Sequence, residues 1–193
     1  MYHLYNTTGF IVRSANIGEA NKLLFIFTED LGLIGVRAQA ARKVSSKLRY
    51  SLKDGTFARF SFVRGKTAWR LTDAEEIFSF SPATEPEKTK IFTGLLSLVG
   101  RFVHGQEENV VLFHELKNLT VFLKNGVFVA DELRRFETLA VFKILSALGY
   151  AGTDRMLARF SRAALDEKLL QDFEPFRKEA LREINRALEE SHL

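Results

Sequence analysis

GVRAQAARKVSSKLRYSLK, residues 35–53, carries Arg37, Arg42, Lys43, Lys47, Arg49 and Lys53 and no carboxylate, six cations in nineteen residues. A run of that kind repels itself. It is tolerated on a solvated face, or where it meets a polyanion such as a phosphate backbone. What separates those two readings is the pattern on either side of it.

Upstream, Phe10–Ser14 is a short apolar segment, and Lys22–Thr28 (KLLFIFT) is an apolar run of strand length. The turn signal Glu29-Asp30-Leu31-Gly32 leads into Leu33–Ala38, in which Ile34, Val36 and Ala38 share one face. Within the basic run, Val44, Leu48 and Leu52 recur every fourth residue, which predicts one or two helical turns over Ala40–Leu52. Downstream, Asp54-Gly55 marks a turn. Thr56–Val63 (TFARFSFV) then alternates as a strand, and Arg64-Gly65-Lys66 forms a hairpin loop into Thr67–Thr72 (TAWRLT). Five short strands with a helical interruption between the third and fourth is the order of an OB-fold, a five-stranded Greek-key barrel whose open face binds oligonucleotides. A different small barrel, SH3-like, shares this periodicity. No proline occurs in the first 81 residues, as a mostly paired barrel prefers.

Ser79–Pro86 (SFSPATEP) holds two of the three prolines, and beyond it the periodicity becomes helical. Glu87–Val103 places Ile91, Leu95, Leu98, Val99 and Phe102 on one side and stops before Gly105; Asn109–Lys124 follows, ended by Asn125-Gly126. Asp131–Leu148 reads as a helix with Asp131 as N-cap, Gly149 as C-cap and a core face of Leu133, Phe136, Leu139, Ala140, Phe142 and Leu145. A last helical region spans about 163–190 with a break near Pro175. The expected class is therefore α+β: an N-terminal five-stranded OB-fold barrel over residues 1–80, then an all-α helical domain over residues 81–193.

The 193 residues suffice for a real core in either arrangement. A charged fraction of 27% and an apolar fraction of 46% are those of a globular chain rather than a disordered one. With no cysteine there is no disulfide, thiol nucleophile or cysteine zinc site; with no apolar window of about 18 residues and no basic leader, the expectation is a soluble cytoplasmic protein with no membrane partner. The net charge of +4 conceals an asymmetry: residues 10–70 hold 12 Lys/Arg against 4 Asp/Glu, whereas residues 81–193 hold 16 against 17. The first half is the one suited to a polyanion.

Catalytic patterns do not assemble. Neither His104 nor His114 has a second histidine one helical turn on, and His3 and His192 lie at the ends. Arg64-Gly65-Lys66-Thr67 ends like a phosphate-binding loop, but Phe60 stands where that pattern needs glycine, and a hairpin surrounds it. No catalytic residue, metal or cofactor is expected.

The chain resembles the RecO family, the recombination mediators of bacterial DNA repair. The resemblance lies in Gly9-Phe10-Ile11-Val12-Arg13-Ser14, Gly18-Glu19-Ala20-Asn21-Lys22-Leu23, Phe27-Thr28-Glu29-Asp30-Leu31-Gly32, and Ala41-Arg42-Lys43 leading to Ser46-Lys47-Leu48-Arg49 and Leu52. It resumes at Arg64-Gly65-Lys66, Leu71-Thr72-Asp73-Ala74-Glu75, Leu133-Arg134-Arg135-Phe136-Glu137 and Leu148-Gly149-Tyr150. It implies an N-terminal OB-fold and a helical C-terminal domain. It also implies binding of single- and double-stranded DNA, strand annealing, residence at the nucleoid, and partnership with RecR and with the acidic C-terminal tail of the single-stranded DNA-binding protein, all without catalysis. Many relatives carry a four-cysteine zinc site that this chain cannot build. Relatives often read Ala-Lys-Gly-Ala-Arg where Ala38-Gln39-Ala40-Ala41-Arg42 stands, so a cation and a glycine are exchanged.

Arg13, Arg37, Arg42, Lys43, Lys47, Arg49, Lys53, Arg64, Lys66 and Arg70 are the candidate phosphate contacts, acting as point charges. Tyr50 and Trp69 are candidates for base stacking, with barrel core as the other reading of Trp69. Arg134 and Arg135 are candidates for an acidic partner peptide, or ordinary solvated helix charges. The competing function is a protein-interaction adaptor with little DNA binding of its own. A nuclease reading has no metal-ligand constellation to support it.

Overall fold

A computed structural model describes residues 3–44, 46, 48, 52–66, 68–152 and 154–191. Five strands form a closed barrel: β1 (Leu4–Ile17), β2 (Asn21–Thr28), β3 (Gly32–Ala38), β4 (Phe57–Arg64) and β5 (Trp69–Phe78), in the order β1-β2-β3-β5-β4. All neighbours are antiparallel except β3 and β5, which close the barrel in parallel through two register pairs, Val36↔Trp69 and Arg37↔Arg70. That order and that single parallel seam are those of an OB-fold.

The inward set follows from strict alternation. Leu24 and Ile26 on β2, Ile34, Val36 and Ala38 on β3, Phe60 and Phe62 on β4 and Trp69 and Leu71 on β5 form one buried cluster with Ile11, Ala41, Leu52 and Ala58. Trp69 is 4% exposed, edge-on to Tyr5 at 5.0 Å and to Phe62 at 6.3 Å. It is a core residue, and base stacking by Trp69 is thereby corrected: at 4% exposure it offers a base almost no surface.

Two β-bulges keep charges out of that core. Ile11 points inward opposite Ile26, so plain alternation would turn Arg13 inward as well. An extra residue between them lets Arg13 pair with Phe25 on the outer face. The same device on β5, between the pairs Phe62↔Leu71 and Ser61↔Asp73, turns Asp73 outward.

The β3–β4 connection is turn-like over residues 39–44. The helical turns expected over Ala40–Leu52 lie in good part outside the described residues. Of the expected apolar stripe, Leu52 is buried and Leu48 packs against the barrel core, but Val44 is 86% exposed. Ala40 is the one described non-glycine residue with positive φ, at 53°, and its N–H donates to Asn21 Oδ1 at 2.9 Å.

The first compact unit, Met1–Val110, continues past the proline-marked change of periodicity at 79–86 and takes in α1 (Pro86–Phe102). Phe92 of α1 meets Phe10 at 6.0 Å, and Gly100 leaves room for Val12. The second unit, Val111–Leu193, contains all but the first residue of α2 (Val110–Asn125), then α3 (Ala130–Ala147), α4 (Ala158–Arg162), α5 (Glu167–Asp172), a 3₁₀ turn Glu174–Phe176 at Pro175, and α6 (Arg177–Glu190). The N-cap of α3 is Val129 rather than Asp131, because Glu132 Oε2 accepts from the Val129 N–H at 3.0 Å. Asp131 instead sits in the first turn, paired with Arg135 and Arg177. Lys143 is buried, its ammonium held by Glu115 at 3.1 Å and by the Ala163 and Ser161 carbonyls at 2.9 and 3.3 Å. Three acceptors offset the loss of water that burying this charge entails.

A left-handed alanine costs about 1–2 kcal/mol relative to the same conformation in glycine. Ala40→Gly is therefore expected to raise stability in denaturant unfolding by up to about 1 kcal/mol, after the greater chain entropy of glycine is deducted. A loss of stability in Ala40→Gly would contradict this.

Candidate nucleic-acid interface

Because the β3–β5 seam pairs Arg37 with Arg70, two guanidiniums stand side by side on the outer face of the barrel. The hairpin that returns β4 into β5 is closed by the Gly65 N–H donating to the Ala68 carbonyl at 3.0 Å, and it adds Lys66. These three cations, with Gln39, Val63, Gly65, Ala68 and Trp69, line a cavity of about 170 Å³. No carboxylate lines it. None of the three forms an ion pair among the described residues.

The neighbouring cations divide by what holds them. Arg42 is exposed, but its Nη1 donates to the Gly18 carbonyl at 2.9 Å while its backbone N–H reaches the Ala20 carbonyl at 3.0 Å. It therefore ties the start of the basic run to the β1–β2 turn, presenting charge there as well. Lys43 and Lys53 are exposed, and Arg64 is exposed with its guanidinium 5.5 Å from the Trp69 ring centre. Arg13 is exposed on β1, its guanidinium 3.7 Å over the ring of Phe25. Lys47, Arg49 and Tyr50 lie outside the described residues. The structure thus brings Arg13, Arg37, Lys66 and Arg70 onto strands and a hairpin around one outer surface, and puts Lys43 on the segment leaving β3.

The far half of β5 has the opposite sign. Asp73, Glu75 and Glu76 are exposed there, and Glu75 pairs with Arg59 of β4 at 2.7 Å. A polyanion is therefore attracted to one side of the barrel and repelled from the other.

Phe25 escaped the sequence reading. In KLLFIFT every residue from Leu23 to Phe27 is apolar, so periodicity cannot assign faces; only the pairing Arg13↔Phe25↔Gly35 shows that Phe25 is outward and half-buried.

In the second unit, Val121, Phe122, Val127 and Phe128, with Lys117 and Arg135, line a groove of about 730 Å³. Arg135 is already committed to Asp131 and Glu174, whereas Arg134 is exposed and does not line the groove. The two arginines named from sequence are thus not brought together as a peptide clamp. Among the described residues, no group of three or more His, Cys, Asp or Glu is placed to hold a metal ion. No helix of the described chain is long and apolar enough to cross a membrane. A four-cysteine zinc site does not fit a chain without cysteine.

Residues 1–80 match the family model described as recombination protein O N terminal. The DNA repair protein RecO of Clostridium acetobutylicum is 31% identical over 148 residues, covering 76% of this chain and 59% of the relative. That of Dehalococcoides mccartyi is 38% identical over 149 residues, 77% and 57% respectively. That of Exiguobacterium sp. is 27% identical over 143 residues, 74% and 57%. The chain thus spans under three-fifths of the length of these curated relatives.

Like charges paired across strands destabilise a sheet by a few tenths to about 1 kcal/mol. Arg70→Thr is accordingly expected to raise the thermal midpoint in low salt, with the gain shrinking as salt screens the pair. A drop in midpoint in low salt would show that Arg37 and Arg70 do not repel in the folded barrel.

Proposed function

Because the chain belongs to the RecO family, we propose that it acts in DNA repair and recombination as a non-enzymatic mediator that holds DNA by its backbone on the basic face of the barrel. The observation that carries this reading is the carboxylate-free cavity between Arg37, Lys66 and Arg70. Three cations converging on a concave surface match phosphate oxygens, and they do so without reading bases, so affinity is sequence-independent and salt-dependent. Arg64, over Trp69, adds charge beside it, and Arg13, Lys43 and Lys53 are further exposed cations of the barrel unit. Neutralising phosphates on two strands at once lowers their mutual repulsion, which is a route to annealing that consumes no nucleotide.

RecR and the acidic tail of the single-stranded DNA-binding protein are proposed as partners on the family's account. For the tail, Val121, Phe122, Val127 and Phe128 of the groove offer apolar contacts, but Glu132 and Glu167 line it together with Lys117 and Arg135, so its charge does not by itself select an acidic peptide. Arg134 contributes at most long-range charge to such a contact, and Arg135 would have to leave Asp131 and Glu174 to join it. The adaptor reading, in which the barrel serves only protein partners, differs in a measurable way: it requires no affinity for DNA.

Fluorescence anisotropy of a labelled oligonucleotide, titrated with the full chain across a salt series, separates the readings. Arg37→Glu with Arg70→Glu is expected to weaken binding at least about ten-fold and to flatten the log-log salt slope by about 2, one released counterion per lost contact. Arg59→Gln, on the acidic side, is expected to change it little. Unaltered binding in the double variant would remove DNA from this face, and no binding by the native chain in low salt would favour the adaptor.

A further inference from the structure

Resting on the DNA-binding reading, we propose that Phe25 is a base-stacking platform through which the barrel face selects single-stranded over duplex nucleic acid. Among the aromatic residues of the barrel, most are enclosed. Phe10 stacks on Phe57 at 4.4 Å and meets α1, Phe60 stacks on Phe62, Trp69 is core, and Phe27 is fully buried. Phe25 stands on the outer face in the middle strand of the β1-β2-β3 surface, half-buried, between Arg13 on one side and Gly35 on the other.

Those two neighbours have opposite effects on the ring. The Arg13 guanidinium, 3.7 Å from the ring centre, covers one side and holds the ring in place. Gly35 has no side chain, and a Cβ built there would come within 3.9 Å of Phe25 Cε1. Nothing in its backbone demands glycine, since its φ is not in the left-handed region. Its effect is to leave an open floor beside the ring, flanked on the same face of β3 by the half-buried Leu33 and by Arg37. Arg37 is two residues along the strand from that floor, about 7 Å, and it lines the cationic cavity. A base against Phe25 and a phosphate at Arg37 are thus within reach of one nucleotide, with Arg70 on the next strand placed for the phosphate that follows.

Strand form decides whether this slot is used. A duplex keeps its base faces inside the stack, and a ring standing on a sheet surface reaches only an unpaired base. The cations serve both forms alike, so Phe25 and the floor at Gly35 are what distinguishes them.

The test compares an oligothymidylate with a duplex of equal length, both labelled, titrated with the full chain at one low salt concentration. Phe25→Leu removes the π-face, and Gly35→Val fills the floor with a residue that favours strands, so circular dichroism should show both folded. Each is expected to weaken single-strand binding about ten-fold or more while changing duplex binding less than about two-fold, and Phe25→Trp to restore the single-strand affinity. Equal weakening of both forms, or unchanged single-strand binding in the two variants, overturns the inference alone. Failure of the native chain to bind either form overturns it together with the reading on which it rests.

Discussion

The parallel contact between β3 and β5 is the constraint on which the site depends. Only two register pairs form it, yet without it the sheet has two free edges and the barrel does not close. The inward pair, Val36 and Trp69, seals the core, and the outward pair is Arg37 and Arg70. Closure therefore forces two like charges together at the place where the β4–β5 hairpin delivers Lys66. A polyanion bound there would relieve a repulsion that the fold itself imposes, and the proposed ligand would thereby stabilise the barrel.

Register maintains the polarity of that surface. The bulge before Arg13 and the bulge before Asp73 each add one residue, and each turns a charge from the core to the outside. Arg13 arrives beside Phe25, whereas Asp73 joins the acidic far half of β5. Part of the remaining outer surface of β1 is covered by α1, through Phe92 against Phe10 and Gly100 against Val12. Within the first unit, the α1 contacts at Phe10 and Val12 and the acidic half of β5 thus fall on residues other than Arg13, Phe25, Arg37 and Arg70.

The barrel was legible in sequence because β2, β3, β4 and the start of β5, to Thr72, have near-continuous or alternating apolar patterns joined by glycine-bearing turns; Gly32, for one, adopts φ +63 against the Glu107 backbone. The rest of β5, residues 73–78, is acidic, is held by pairing with β4 and lay beyond the expected strand. The first half of β1 was not legible either, since Leu4–Gly9 is largely polar and is held by pairing with β4 rather than by its own pattern. Charge bias located the basic half, but one-dimensional spacing does not see a seam, and so Arg37 and Arg70, 33 residues apart in sequence, had no reason to be singled out as neighbours. Trp69 was ambiguous for the same reason that Phe25 was invisible: an aromatic next to cations reads alike whether it is inward or outward. In the helical half, the Asp131 cap was misplaced by two residues because Glu132 reaches back to the Val129 N–H. The buried Lys143 looked like any helix lysine until Glu115 and two carbonyls surrounded it.

Amide chemical-shift mapping on the full chain, with a short oligonucleotide added in low salt, locates the DNA on the barrel. Shifts are expected to concentrate at Arg13, Leu23–Phe25, Gly35–Gln39 and Gly65–Arg70, with Asp73–Glu76 undisturbed. Shifts centred on the far half of β5, or confined to the helical unit, would contradict that placement.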